Sequence, residues 1–191
     1  MSSALAIASV TAVLKSLLEN GLVGEGVNAS IGGDTIVSAL PPDRITTGSD
    51  ERPQLNLFLY QVTPHTGLRS LEAGSGQITP LALELHYLLT AYGAQDFHIE
   101  ILLGYAAQLM HRTPRLRRDA IRGALATLSA ADHGAAPPLQ ALAAFDLDQQ
   151  IEQIEIRPQY LSGEELSKIW SALQARYRPS LAYKISLVLI R

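Results

Sequence analysis

Glu84 and His86, two residues apart in "LELHYLL", are the closest approach to a chemical pair in the chain. On a strand they share one face, where a carboxylate and an imidazole could supply two ligands to a cation. Two ligands without a third make a poor site. The other histidines, His65, His98, His111 and His133, form neither an HxH nor an HExxH spacing with them. With Tyr87 beside them, Glu84 and His86 supply at most part of a small-ligand pocket, and a Glu and a His on a half-covered strand face serve structure equally well.

The remaining candidates are weaker. "GEGVNASIGG" is glycine-rich, but a phosphate loop needs a strand before it and a helix after it, and here a helix precedes and a strand follows. "GSG" at Gly74 to Gly76 has no strand-to-helix setting for a nucleophilic serine. Glu164 and Glu165 belong to the first turn of a helix, where carboxylates favourably meet the helix dipole. Trp170, Tyr177, Tyr183 and Tyr87 fall at core spacings. No catalytic residue, cofactor or metal ligand is assigned. What remains is "HRTPRLRRD", where Arg112, Arg115, Arg117 and Arg118 concentrate one sign of charge. Guanidinium forks grip carboxylates or phosphates in pairs. No aromatics are interleaved to stack bases, so an acidic protein surface is favoured over nucleic acid.

The elements that must position these residues begin with composition. A chain of 191 residues, 47% hydrophobic and 17% charged, fits one domain with one substantial core. A formal charge of -3 and a pI near 5.9 give no global attraction to nucleic acid or anionic lipid. Without cysteine there are no disulfides, thiolate nucleophiles or cysteine-ligated metals, as fits folding in the cytoplasm. The N-terminal stretch lacks a basic n-region and is interrupted by Ser9, Thr11 and Lys15, which argues against a signal peptide. Ile7, Val10, Val13, Leu14, Leu17 and Leu18 instead mark an amphipathic helix, with Ser2 or Ser3 as its cap and Gly21 as its stop. No later segment has the length of a membrane span, and no membrane contact is expected.

Next, the β-branched pieces Val27 to Ile31 and Thr35 to Leu40, separated by Gly32, Gly33 and Asp34, predict a small hairpin. "LNLFLYQVTPH" and "PLALELHYLLTAYG" are apolar on both faces and predict two long central strands joined as a broad antiparallel hairpin. Ile99, Leu102, Leu103, Ala106, Leu109 and Met110 mark a helix over 98–111, and a second runs through "RRDAIRGALATLSA". Pro158 predicts an edge strand in "IEQIEIRPQYL". Ser162 and Glu165 form a capping box ahead of the stripe Leu166, Ile169, Trp170 and Leu173. "SLAYKISLVLIR" is the last strand. The fold expected is a single α+β domain over 1–191, with a mixed, mainly antiparallel β-sheet covered by α-helices.

"LFLYQVTPH", "LELHYLLTAYG", "LLGYAAQLMH" and "WSALQARYRPSLAYKISLVLI", in that order, resemble the N-terminal domain of the tail terminator and cap proteins of contractile injection systems. These are phage-tail-like particles of the antifeeding prophage and Photorhabdus virulence cassette type. The resemblance implies a tail-terminator-like fold and a non-enzymatic structural protein. It would form a homohexameric ring on the baseplate-distal end of the inner tube, end tube and sheath growth, and hold the last sheath ring. The implied partners are further copies of the chain, the tube protein, the sheath protein and, where a cluster encodes more than one such protein, a second cap protein. Assembly would take place in the cytoplasm. Family members often extend further, so the chain is expected to be either a minimal terminator or one of two cap components. A sheath or baseplate adaptor, and a small-ligand-binding domain, are the competing readings.

The interface expected from the residues pairs Arg112, Arg115, Arg117 and Arg118 with Asp146, Asp148, Glu152 or Glu155 of a neighbour, or with acids of tube or sheath. The edge near Ile151 to Ile156 is a second candidate, open to a strand from a sheath arm.

Overall fold

A computed structural model describes residues 5–65, 81–130, 141, 142, 147, 151 and 153–189. Its centre is the predicted long hairpin. β2 (Gln54–Pro64) and β3 (Leu81–Tyr92) pair antiparallel, from Gln54 opposite Tyr92 to Pro64 opposite Leu83, with a bulge between Leu59 and Gln61. The last strand, β6 (Ser180–Leu189), lies antiparallel along the other side of β3. The sheet is completed in the order β1-β2-β3-β6-β5-β4 by β1 (Ile36–Ser38), β4 (Arg115–Arg117) and β5 (Gln153–Gln159). Among the described strands only β1 and β2 are parallel, so the sheet is mixed and mainly antiparallel, as expected.

Period-two alternation sorts the strands into two faces. Leu55 and Leu57, Leu85, Tyr87, Leu89 and Ala91, Ile154 and Ile156, and Tyr183 and Ile185 form the inner face. Over it lie α1 (Ala6–Gly24), α3 (His98–Arg112) and α4 (Arg118–Ala130), which contribute Val10, Leu14 and Leu18, Leu102 and Ala106, and Ile121 respectively. Each fully buried leucine contributes about 1.5–3 kcal/mol by leaving water. Tyr87 spans this layer, its hydroxyl 2.7 Å from Thr11 Oγ1 of α1, and burial pushes that hydroxyl far above its ordinary pKa. α1 is long and apolar enough to cross a membrane, but one side of it is buried against this face. The outer face is covered in part by α5 (Gly163–Ala172), whose Trp170 packs with Leu88 and Ala182. The predicted capping box is present: Glu165 N–H donates to Ser162 Oγ, and Ser162 N–H donates to Glu165 Oε2.

The structure corrects four sequence expectations. Val27–Ile31 is not a strand of a hairpin but the short helix α2, bracketed by Gly26 and Gly32 at positive φ. The second half of that expected hairpin is β1, which pairs with β2 and not with its predecessor. Gly21 does not stop α1, which runs on to Gly24; a side chain at Gly21 would collide with Leu109, so its role is the close crossing of α1 and α3. The expected caps Ser2 and Ser3 lie outside the described residues.

The fourth correction concerns β5, which is not an edge strand: β4 covers Gln153 to Glu155. Pro158 is tolerated for a related reason. Ile156 N–H points away from β6 and donates to Pro114 O at 2.8 Å. Two residues on, Pro158 occupies the same outward side beyond the end of β4, where a missing N–H leaves no ladder bond unmade. The stretch from Ile151 to Ile156 is thereby closed to a strand from outside along most of its length.

Candidate functional site

The Glu84 and His86 side chains do share the outer face, but each has separate partners. Glu84 Oε1 accepts from Lys184 Nζ at 3.1 Å and meets His65 Nδ1 at 3.0 Å. Burial would raise this carboxyl's pKa, and the two nitrogens outweigh it, holding the group below the ordinary carboxylate range. His86 is buried, with Nδ1 2.9 Å from Gln159 Oε1 and Nε2 3.0 Å from Thr63 Oγ1. Both ring nitrogens are thus used within the sheet. Among the described residues no group of three or more His, Asp or Glu side chains is placed to hold a metal ion. Glu165 caps α5, and Glu164 pairs with Lys168. Tyr87, Trp170 and Tyr183 are core, while Tyr177 is exposed and edge-on to Trp170. The "GSG" segment lies outside the described residues.

A deeper polar lock joins the other end of the sheet. Glu51 is buried and accepts both prongs of Arg178, at 2.8 and 2.7 Å, along with Gly93 N–H at 2.7 Å. Arg178 also stacks 4.5 Å from the centre of the Tyr92 ring. Burial raises the Glu51 pKa, but Arg178 and the two backbone donors, Gly93 and Gly48, bring it below its ordinary value. Gly93 must lack a side chain, since a Cβ would collide with His98. This pair ties the loop before β2 to the turn before β6, so its role is architectural.

The arginine cluster is divided by the fold. Arg112 ends α3 and pairs with Glu25 after α1. Arg115 and Arg117 leave β4 on the outer face, opposite Glu155 and Gln153 of β5. Arg115 lies 3.7 Å from Glu155 of its own chain. Arg118 opens α4. Arg117 and Arg118 are exposed and have no ion-pair partner among the described residues. Of the acids expected to face them, Asp146, Asp148 and Glu152 lie outside the described residues, and Glu155 is held within the chain by Arg115 and Arg157. The register also adds two cations that sequence reading missed. Arg157 of β5 stands directly opposite Lys184 of β6. Their sequence signal was alternation alone: Arg157 follows buried Ile156, and Lys184 precedes buried Ile185.

Among the described residues the outer face therefore presents charges held in place by strands. The family described as Pvc16 N-terminal domain matches residues 9–191. This chain belongs to that family. Among solved structures it is similar to the PVC sheath/tube terminator of an extracellular contractile injection system, in the extended state, at 17% identity and a TM-score of 0.49, over 87% of this chain and 54% of that one. It is also similar to the anti-feeding prophage cap, described as a tube terminating cap, at 15% identity and a TM-score of 0.50, over 89% of this chain and 53% of that one. No curated protein matches it. The chain spans about half the length of each of these two structures. At such identities the likeness is one of fold, and the fold shared with the anti-feeding prophage cap agrees with the tail-terminator-like sheet expected from the sequence.

Proposed function

We propose that this chain is a structural tail terminator, or cap, of a phage-tail-like contractile injection system. It acts as a ring of identical subunits, expected to be six, on the baseplate-distal end of the inner tube. There it ends tube and sheath polymerisation and anchors the last sheath ring, having assembled in the cytoplasm as part of the particle. The observation that carries this reading is membership of the Pvc16 N-terminal domain family along residues 9–191. A fold shared with the anti-feeding prophage cap supports it.

The physical features fit a non-enzymatic role. A sheet packed on its inner face by three helices gives a rigid frame, and the exposed arginines give it contacts. Around a closed ring, subunits meet through two different patches, and closure requires that each contact repeat by a fixed rotation. Arg117 and Arg118, at the start of α4, are the cations available to one such patch. Arg112 and Arg115 are engaged within the chain. The opposing patch is the acidic stretch containing Asp146, Asp148 and Glu152 of a neighbour, or acids of the tube or sheath.

The test is negative-stain microscopy of particles from cells with and without the chain, scoring sheath length and the form of the distal end. Tubes of uncontrolled length, or bare distal ends, are expected without it. Normal capped particles would overturn the reading in favour of an adaptor elsewhere in the particle. Restoring the chain as the double variant Arg117→Glu, Arg118→Glu should leave folding intact and capping weakened; unchanged capping would remove the arginines from the contact.

A further inference from the structure

Arg157 and Lys184 are direct cross-strand partners, so both side chains leave the sheet on its outer face at adjacent positions. Like charges directly opposite one another destabilise a sheet. Here the two cations share no acid between them. Arg157 turns along its own strand to Glu155, at 2.8 Å, while Lys184 reaches the other way to Glu84 of β3, at 3.1 Å. Arg115 approaches Glu155 from β4, so one carboxylate serves two arginines. Glu84 likewise serves both Lys184 and His65.

This arrangement leaves cations in excess. Arg115, Arg157 and Lys184 face two carboxylates, and Arg117, opposite Gln153, adds a cation without an ion-pair partner among the described residues. The side chains of Arg115 and Arg157 are 63% and 59% exposed. The chain as a whole carries a net charge of -3, so this positive surface is local and opposite to the molecule's balance. α5 packs on the outer face through Leu88 and Ala182, and the charged half beyond is left uncovered among the described residues.

We infer that this face docks an acidic protein surface, whose carboxylates enter between Arg157 and Lys184 and continue toward Arg115 and Arg117. An anion placed there relieves the opposed pair and completes the hydrogen bonding of guanidinium forks that the two resident acids only partly satisfy. Strands fix the spacing of the backbone positions from which these cations project, and Arg157 and Lys184 are further held by Glu155 and Glu84. Among the described residues no aromatic ring stacks on Arg115, Arg117, Arg157 or Lys184, as single-stranded nucleic acid would need beside them. The inference deepens the terminator reading and rests on it only in making the partner a component of the particle.

The test uses the purified full chain and a fluorescently labelled oligoglutamate peptide, followed by anisotropy over a salt series, with labelled oligothymidylate as the phosphate comparison. Because no particle is involved, failure here and failure of capping are separate results. Oligoglutamate should bind in preference to oligothymidylate and weaken as salt is added. Arg157→Gln and Lys184→Gln should each lower affinity by about tenfold, the loss expected for one charged hydrogen bond. Lys15→Gln, on α1 over the opposite face, should leave it unchanged. Arg157→Gln should keep or raise the melting temperature, because Glu155 retains Arg115 while the repulsion with Lys184 is removed. A merely structural arginine would lower it. The proposal is overturned by absent oligoglutamate binding, by binding indifferent to Arg157→Gln and Lys184→Gln, or by tighter binding of oligothymidylate.

Discussion

Tyr87 and His86 are neighbours on β3, yet they belong to two differently built faces. Tyr87 points inward, where Leu85, Leu89 and Ile185 are fully buried and α1 supplies its hydroxyl partner, Thr11. His86 points outward to Gln159 and Thr63; Lys184 and Arg157 stand in the same cross-strand row, and one step further along the face come Glu84 and Glu155. The inner face holds the fold together by excluding water. The outer face, beyond α5, spends the same sheet geometry on holding charges at fixed positions. Substitutions on the two faces should therefore separate stability from association.

The largest loss should come from the inner face. Leu85→Ala deletes a fully buried side chain and should cost roughly 2–5 kcal/mol in chemical denaturation, the range for cavity-forming leucine truncations. A cost under about 1 kcal/mol would mean that the face is less tightly packed than it looks. Next comes the lock at the end of the sheet. Glu51→Ala leaves Arg178 largely buried without its carboxylate and should cost about 3 kcal/mol, the low end for a broken buried pair. The same pair sets an acid limb. The Glu51 pKa is lower folded than its ordinary value of 4.5, so its contribution is present above that value and is lost as pH falls through the folded one. Glu51→Gln should flatten the decline of melting temperature below pH 4.5; an unaltered slope would place the acid sensitivity elsewhere.

Smaller effects lie on the outer side. Ser162→Ala removes the side-chain half of the capping box and should cost about 1 kcal/mol, read from urea midpoints. Arg117→Gln and Arg118→Gln, at exposed positions without an ion-pair partner among the described residues, should change stability by no more than about 0.5 kcal/mol. A loss as large as that of Leu85→Ala would erase the distinction between the faces.

Much of this division was legible in the sequence because it follows from local pattern. Alternation through "LNLFLYQ" and "LALELHYLL" located the long hairpin and sorted β3 into its two faces, and Ser162 with Glu165 marked the start of α5. Other parts needed contacts that no local pattern carries. α2 has β-branched ends that read as strand, and it is helical because Gly26 and Gly32 close it at both ends within five residues. β4 spans three residues inside an arginine cluster, and it is a strand only because β5 lies beside it. The same register pairs Arg115 with Glu155 and sets Arg157 against Lys184. The arginines of the candidate interface were therefore visible as a cluster, whereas their partners within the chain were not. Asp146, Asp148 and Glu152 remain an expectation from sequence.

Reconstruction of the baseplate-distal end of intact particles by electron cryo-microscopy would show whether this sheet sits at the terminal ring of an injection particle. A closed ring of density is expected on the last tube layer, into which the six-stranded sheet and its three inner helices fit, with the outer face turned toward a neighbouring component. Density for this fold at the baseplate, or none at the distal end of particles that contain the chain, would contradict it.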